Sequence, residues 1–205
     1  MDMDSTLIAI ECIDEIADFA GRKAEVAAVT ASALRGEIDW PESLRRRVQA
    51  LTGLDESSLE RVYAERLRLN PGAERLIAAA RRCGLKTLLV SGGFTYFTDR
   101  VRDRLALDYA YSNVLVVERG KLAGSVTGAL VDAQGKAGHL ARVSKDLGLP
   151  REQVLAIGDG ANDLPMMALA GVSIAYHAKP VVQAKADYSL DYAGLGGVLA
   201  LFPAK

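Results

Sequence analysis

Apolar and polar positions change rhythm once along this chain, near residue 70. Before that point the spacing is helical. In IECIDEIADFA (10–20), Ile10, Ile13, Ala17 and Ala20 share one face, charges fill the other, and Gly21 is the stop. Further helices are predicted over 23–36, 41–51 and 55–69, punctuated by Gly36, Pro41 and Gly53, and nothing from Met1 to Leu69 reads as a strand. Beyond residue 70, short apolar runs alternate with helices. NPGAERLIAAARRCG predicts a helix with Pro71 in its first turn and Gly84 at its end. LKTLLV (85–90) reads as a buried strand ending at Ser91-Gly92-Gly93, and a helix follows over 95–106. NVLVVERGKLAGSVTGALV alternates around Arg119-Gly120 as a β-hairpin. A helix over 136–147 precedes VLAIGDG, another buried strand, and GVSIAY and ADYSL are later strand candidates.

That order predicts an α/β fold with a doubly wound, mostly parallel sheet. Residues 1–10 and 70–205 form its core, and residues 11–69 are an all-helical insertion. Sites in such sheets lie beyond the carboxyl ends of the strands.

Composition narrows the function classes. The chain has 205 residues, half of them hydrophobic, and a net charge of −1, which gives no general attraction to nucleic acid or an anionic membrane. Arg45-Arg46-Arg47 is its one dense basic cluster and reads as a solvated helix face. Cys12 and Cys83 have neither metal-site nor disulfide spacing and are expected to pack as small apolar residues. An acidic N-terminus and the lack of a spanning apolar run predict a cytoplasmic protein.

The chemistry lies in polar loops that follow apolar runs: DMDST (2–6), SGG (91–93) and GDGAND (158–163). Asp2 and Asp4 are two apart, so in extended backbone their carboxylates leave the same side and repel unless a cation separates them or one is protonated. An ionised nucleophile beside a proton donor satisfies that condition; so does a solvated turn. Lys136 begins a stretch whose apolar face is Leu140, Val143 and Leu147. A cation there opposes the helix dipole, so it is either solvated or held by a nearby anion. Asp159, between Gly158 and Gly160, suits a hard cation such as Mg²⁺. Asp163 suits a helix N-terminus as well as a site.

Taken in order, DMDST, SGG, Lys136 and GDGAND resemble the four signature motifs of the haloacid dehalogenase superfamily. ECIDEIA, SLRRRV, VSGGFT and AIGDGAND are further similar to its branch that hydrolyses O-phospho-L-serine in the last step of serine biosynthesis. The resemblance implies that Asp2 attacks the phosphoryl group and becomes an aspartyl-phosphate, while Asp4 serves as acid and then base. It implies Mg²⁺ on Asp2, the Asp4 backbone carbonyl and Asp159, with Asp163 supporting the metal and Lys136. Ser91, the Gly92 amide and Lys136 would hold phosphoryl oxygens, and Asn162 would position the substrate. The insertion would be a cap, with Glu11 binding the substrate ammonium and Arg47 its carboxylate. His139 and His177 match no catalytic position. The superfamily carries an apolar strand before its first motif, where this sequence has Met1 alone, so the natural protein is expected to begin upstream. Two other readings stay open: a phosphatase or phosphotransferase for another small phosphorylated amine or alcohol, and a non-catalytic module that binds a phosphorylated ligand or a partner protein.

Overall fold

The computed structural model describes residues 1–34 and 37–202. The elements described in the first third are helices: α1 (Cys12–Phe19), α2 (Lys23–Leu34), α3 (Trp40–Gln49) and α4 (Ser57–Arg61), which runs into a π-helical turn over Val62–Arg66. The predicted end of the second helix, with Gly36, lies outside the described residues. Asp39 starts α3 by accepting a hydrogen bond from Glu42 N at 2.8 Å, with Pro41 following where its missing N–H costs nothing. The single helix expected over 55–69 is instead short and changes pitch at Val62.

Next come α5 (Ala73–Arg82), β1 (Leu88–Phe94), α6 (Thr95–Leu105), β2 (Tyr109–Glu118) and β3 (Lys121–Thr127). They are followed by α7 (Ala133–Asp146), β4 (Leu155–Gly158), α8 (Leu164–Met167), β5 (Val172–Tyr176), α9 (Pro180–Gln183) and β6 (Tyr188–Leu190). Pro71 precedes the capping residue Gly72 rather than lying in the first turn of α5, because Gly72 adopts a left-handed φ of 83°. The first buried strand starts later than expected and runs through the glycines to Phe94. Arg119 and Gly120, with φ of 52° and 75°, make the tight turn of the expected hairpin.

The strands form two three-stranded sheets, β1-β2-β3 and β4-β5-β6. Of the strand pairs among the described residues, β2–β3 is antiparallel and the others are parallel. Met1 and Asp2 lie between the sheets: Val90 N donates to Met1 O at 3.0 Å, and Asp2 N donates to Ile157 O at 3.0 Å. Asp2 therefore sits where the carboxyl ends of β1 and β4 converge.

Alternate residues of β4 and β5 feed opposite apolar clusters. Ile157, Ile174 and Tyr176 join the larger one with α1, α3, α5 and α6, while Ala156 and Ala175 join Leu140, Met166, Met167 and Val182 beneath α7 and α8. A sheet buried on both faces needs this pattern, and it explains the continuous apolar runs in the sequence. Cys12 is buried as expected, whereas Cys83 is exposed beyond the end of α5. No helix among the described residues is long and apolar enough to cross a membrane.

Candidate active site

At the junction of the sheets lies a buried charge cluster. The Lys136 ammonium, 1% exposed, stands 2.7 Å from Asp2 Oδ1 and 2.8 Å from Asp163 Oδ1. Helix α7 begins three residues before Lys136, capped by Asp132 accepting from Gly135 N at 2.7 Å, so Lys136 points inward from the first turn rather than opening the helix. Burial alone would pull its pKa down, but Asp2 and Asp163 outweigh burial and hold the ammonium charged. Asp2 feels the opposite balance. Burial first, then the charge of Asp163, raises its pKa well above the usual carboxylate range, with Lys136 opposing.

Asp4 is held by partners from α1 and β1. Its Oδ1 accepts from Cys12 N at 2.8 Å and its Oδ2 from the Ser91 hydroxyl at 2.9 Å. Ser91 Oγ in turn accepts from Gly93 N at 2.8 Å. A side chain at Gly93 would have to push these two groups aside, since a Cβ there would stand 2.9 Å from Asp4 Oδ2 and 3.0 Å from Ser91 Oγ. Gly93→Ala is therefore expected to displace both side chains by several tenths of an ångström with the fold intact, checked by a crystal structure of the variant and by circular dichroism.

GDGAND supplies the remaining carboxylates. Asp163 is fully buried, accepting from Gly160 N at 3.1 Å as well as from Lys136, and a Cβ on Gly158 would fall 2.5 Å from its Cβ. Asp159 accepts from Thr6 Oγ1 at 2.9 Å, and burial raises its pKa although that hydrogen bond opposes the shift. One carboxylate oxygen from each of Asp2, Asp159 and Asp163 lies within 4.8 Å of the others. Three acids converge there on a single ammonium, all offering hard oxygen donors, and this fits a divalent cation. The Asp163 oxygens already serve Lys136 and Gly160, which leaves Asp2 and Asp159 as the freer ligands.

Helix α1 brings Glu11 to the rim, where its Oε1 accepts from Ser5 Oγ at 2.7 Å. Its side chain opens to solvent on one side yet is crowded by protein on the others. That crowding, then Asp4, pushes its carboxyl up to about 7, against the Ser5 hydrogen bond and with Asp159 and Asp14 adding. Arg47 of α3 is half-buried; burial lowers its pKa, and the charges of Asp14, Glu11 and Asp4 oppose that shift without cancelling it. Its neighbours Arg45 and Arg46 turn outward to Glu42. Successive helical residues point about 100° apart, which explains why only one of the three faces the site. Trp40, two turns before Arg47, lays its ring against Gly92: a Cβ there would be 3.1 Å from Trp40 Cζ2.

Of the residues predicted from sequence, Asp2, Asp159 and Asp163 gather around Lys136, and Asp4 and Ser91 pair with each other at the neighbouring loop. Gly92 lies in the same loop as Ser91, and Asn162 folds its Oδ1 back over Gly160. Glu11 and Arg47 approach from the helical side. Sequence reasoning does not single out three contributors: Thr6, which orients Asp159; Gly93, where a Cβ would crowd Asp4 and Ser91; and Asn113, buried behind Gly92. Thr6 and Gly93 lie inside the quoted motifs, whereas Asn113 lies outside them. His139 stacks on Tyr111 with ring centroids 4.2 Å apart, a packing role.

Residues 1–168 match the family model of the haloacid dehalogenase-like hydrolases. The chain is 55% identical over 205 aligned residues to the phosphoserine phosphatase of Polaromonas sp., covering 98% of this chain and 87% of that protein. The phosphoserine phosphatase of Albidiferax ferrireducens is 53% identical over 206 residues, with the same two coverages of 98% and 87%. Among solved structures, a substrate-bound phosphoserine phosphatase complex superposes with a TM-score of 0.92 at 37% identity, covering 98% of this chain and 96% of that one.

Proposed function

Because this chain belongs to the haloacid dehalogenase-like hydrolases, we propose that it hydrolyses O-phospho-L-serine to L-serine and phosphate through an aspartyl-phosphate, the last step of serine biosynthesis. The observation that carries the reading is the convergence of Asp2, Asp4, Ser91 and Lys136 at one end of the sheet. A buried carboxylate with an ammonium beside it, a second carboxylate within reach and a hydroxyl donor are what transfer to an aspartate requires.

Asp2 attacks phosphorus, forming an Asp2 O–P bond as the bond to the serine oxygen breaks. Asp4 protonates the departing oxygen, then takes a proton from the water that cleaves the aspartyl-phosphate. In the free protein the Ser91 hydroxyl donates to Asp4. When that hydroxyl turns to a phosphoryl oxygen, it releases the Asp4 carboxyl to face the leaving group. Lys136 and the Gly92 amide neutralise the remaining phosphoryl oxygens. Mg²⁺ bound by Asp2, Asp159 and the Asp4 carbonyl would supply charge neutralisation at the phosphoryl group, and Asp163 holds Lys136 in place. Asn162 positions the substrate.

Residues 11–69 act as a cap over this site, with Trp40 against the phosphoryl loop. Glu11 takes the substrate ammonium and Arg47 its carboxylate. Each is a charge-assisted contact worth roughly 1.5–3 kcal/mol, so kcat/KM is expected to fall about 10- to 100-fold when either substrate group is removed. A panel with Mg²⁺ or with EDTA tests this: O-phospho-L-serine should exceed phosphoethanolamine and glycerol phosphate, and EDTA should stop all three. Indifference to the ammonium and the carboxylate would sink the assignment.

The Glu11 carboxyl adds a pH signature. It faces Asp4 and Asp159 from the core, Asp14 on its own helix and Arg47 from α3. With its pKa raised to about 7, the ammonium-binding carboxylate form is lost as pH falls through that value. The KM for phosphoserine should therefore rise on acidification below about 7, and Glu11→Gln should show a high KM without this dependence, both measured by initial rates across pH.

A further inference from the structure

Between Val90 and Phe94 the β1–β2 ladder slips. Val90 pairs with Tyr111 and Phe94 with Asn113, so Ser91, Gly92 and Gly93 oppose Ser112 alone. Such a bulge turns backbone groups out of the ladder, which frees the loop to face a ligand but leaves its own polar atoms needing partners. Asn113 fills the gap. Its side chain is 1% exposed; Nδ2 donates to Gly92 O at 2.8 Å, and Oδ1 accepts from Val131 N at 2.9 Å. Val131 adjoins Asp132, the cap of α7, whose carbonyl accepts from Lys136 N at 2.8 Å. One carboxamide thus ties the Ser91–Gly93 loop to the start of the helix that delivers Lys136.

We infer that Asn113 is a positioning residue for phosphoryl transfer, setting the spacing between the Ser91–Gly93 donors and the Lys136 ammonium so that both meet one phosphoryl group. The inference rests on the phosphatase reading above. It also accounts for the residue type. A donor and an acceptor must leave one rigid group in opposite directions, which asparagine provides. Aspartate would set an acceptor against the Gly92 carbonyl, and alanine would leave two buried backbone groups unpaired.

The test compares Asn113→Ala and the isosteric Asn113→Asp with a control, Thr98→Val. Thr98 on α6 is also 1% exposed, and its Oγ1 bonds Ser112 Oγ at 2.7 Å, so the control removes a buried hydrogen bond beside Asn113 without touching the loop. Misplacing reacting groups by about 1 Å costs up to about 100-fold, so both Asn113 variants are expected to lose kcat by roughly 30-fold or more. KM for phosphoserine should change far less, and inhibition by orthovanadate should weaken in step with kcat. Thr98→Val should lose thermal stability and keep its kcat. Folded Asn113 variants with wild-type kcat, or an equal loss of kcat in Thr98→Val, would overturn the inference while leaving the phosphatase reading in place. A folded wild type that releases no phosphate from any substrate of the panel would overturn both.

Discussion

Asp2→Asn is expected to abolish phosphate release while leaving the protein as stable as before, or more so. The loss follows from chemistry. The amide is a poor nucleophile, and removing a covalent nucleophile costs on the order of 10⁴-fold or more. Retained stability follows from the charge count in the cluster, where two buried carboxylates, Asp2 and Asp163, share the one ammonium of Lys136. Burial and Asp163 already disfavour the ionised form of Asp2. A neutral side chain of the same shape leaves Lys136 and Asp163 as a balanced pair. Thermal denaturation beside the phosphate assay separates the two effects, and a large fall in Tm together with the loss of activity would count against this charge arrangement.

Lys136→Met should do the reverse to stability. Asp2 and Asp163 then face each other in a buried site with no counter-charge, and breaking a buried ion pair from one side costs about 3–5 kcal/mol. For a chain of this size that is a fall in Tm of about 10 °C, with turnover lost as well. The double variant Asp2→Asn/Lys136→Met should recover part of the stability, because the two sites couple through one contact. Urea melts of the four proteins measure that coupling.

Much of this site was legible in the sequence because its chemistry sits in short loops after apolar runs, and the sheet forces those loops to one end. The fold class followed from alternating strands and helices, and the two-sided burial of β4 and β5 explains why their runs are apolar throughout. Less legible were features decided by tertiary contact. Asn113 sits inside a hairpin sequence, where an asparagine suggests a turn; only the slipped register of β1 against β2 reveals its purpose. Lys136 looked misplaced against the helix dipole until Asp2 and Asp163 came within reach from distant loops. Arg47 could not be told from Arg45 and Arg46 by periodicity, since their orientation depends on where α3 packs. Cys83 ended exposed because α5 stops at Arg82 with its last turn in solvent.

The most direct measurement of the central claim is mass spectrometry of enzyme quenched in acid during turnover of O-phospho-L-serine. The account predicts a phosphoryl group on the peptide containing Asp2, labile to hydroxylamine and absent from Asp2→Asn. Steady hydrolysis with no phosphoryl-enzyme, or a phosphoryl group on another residue, would contradict it.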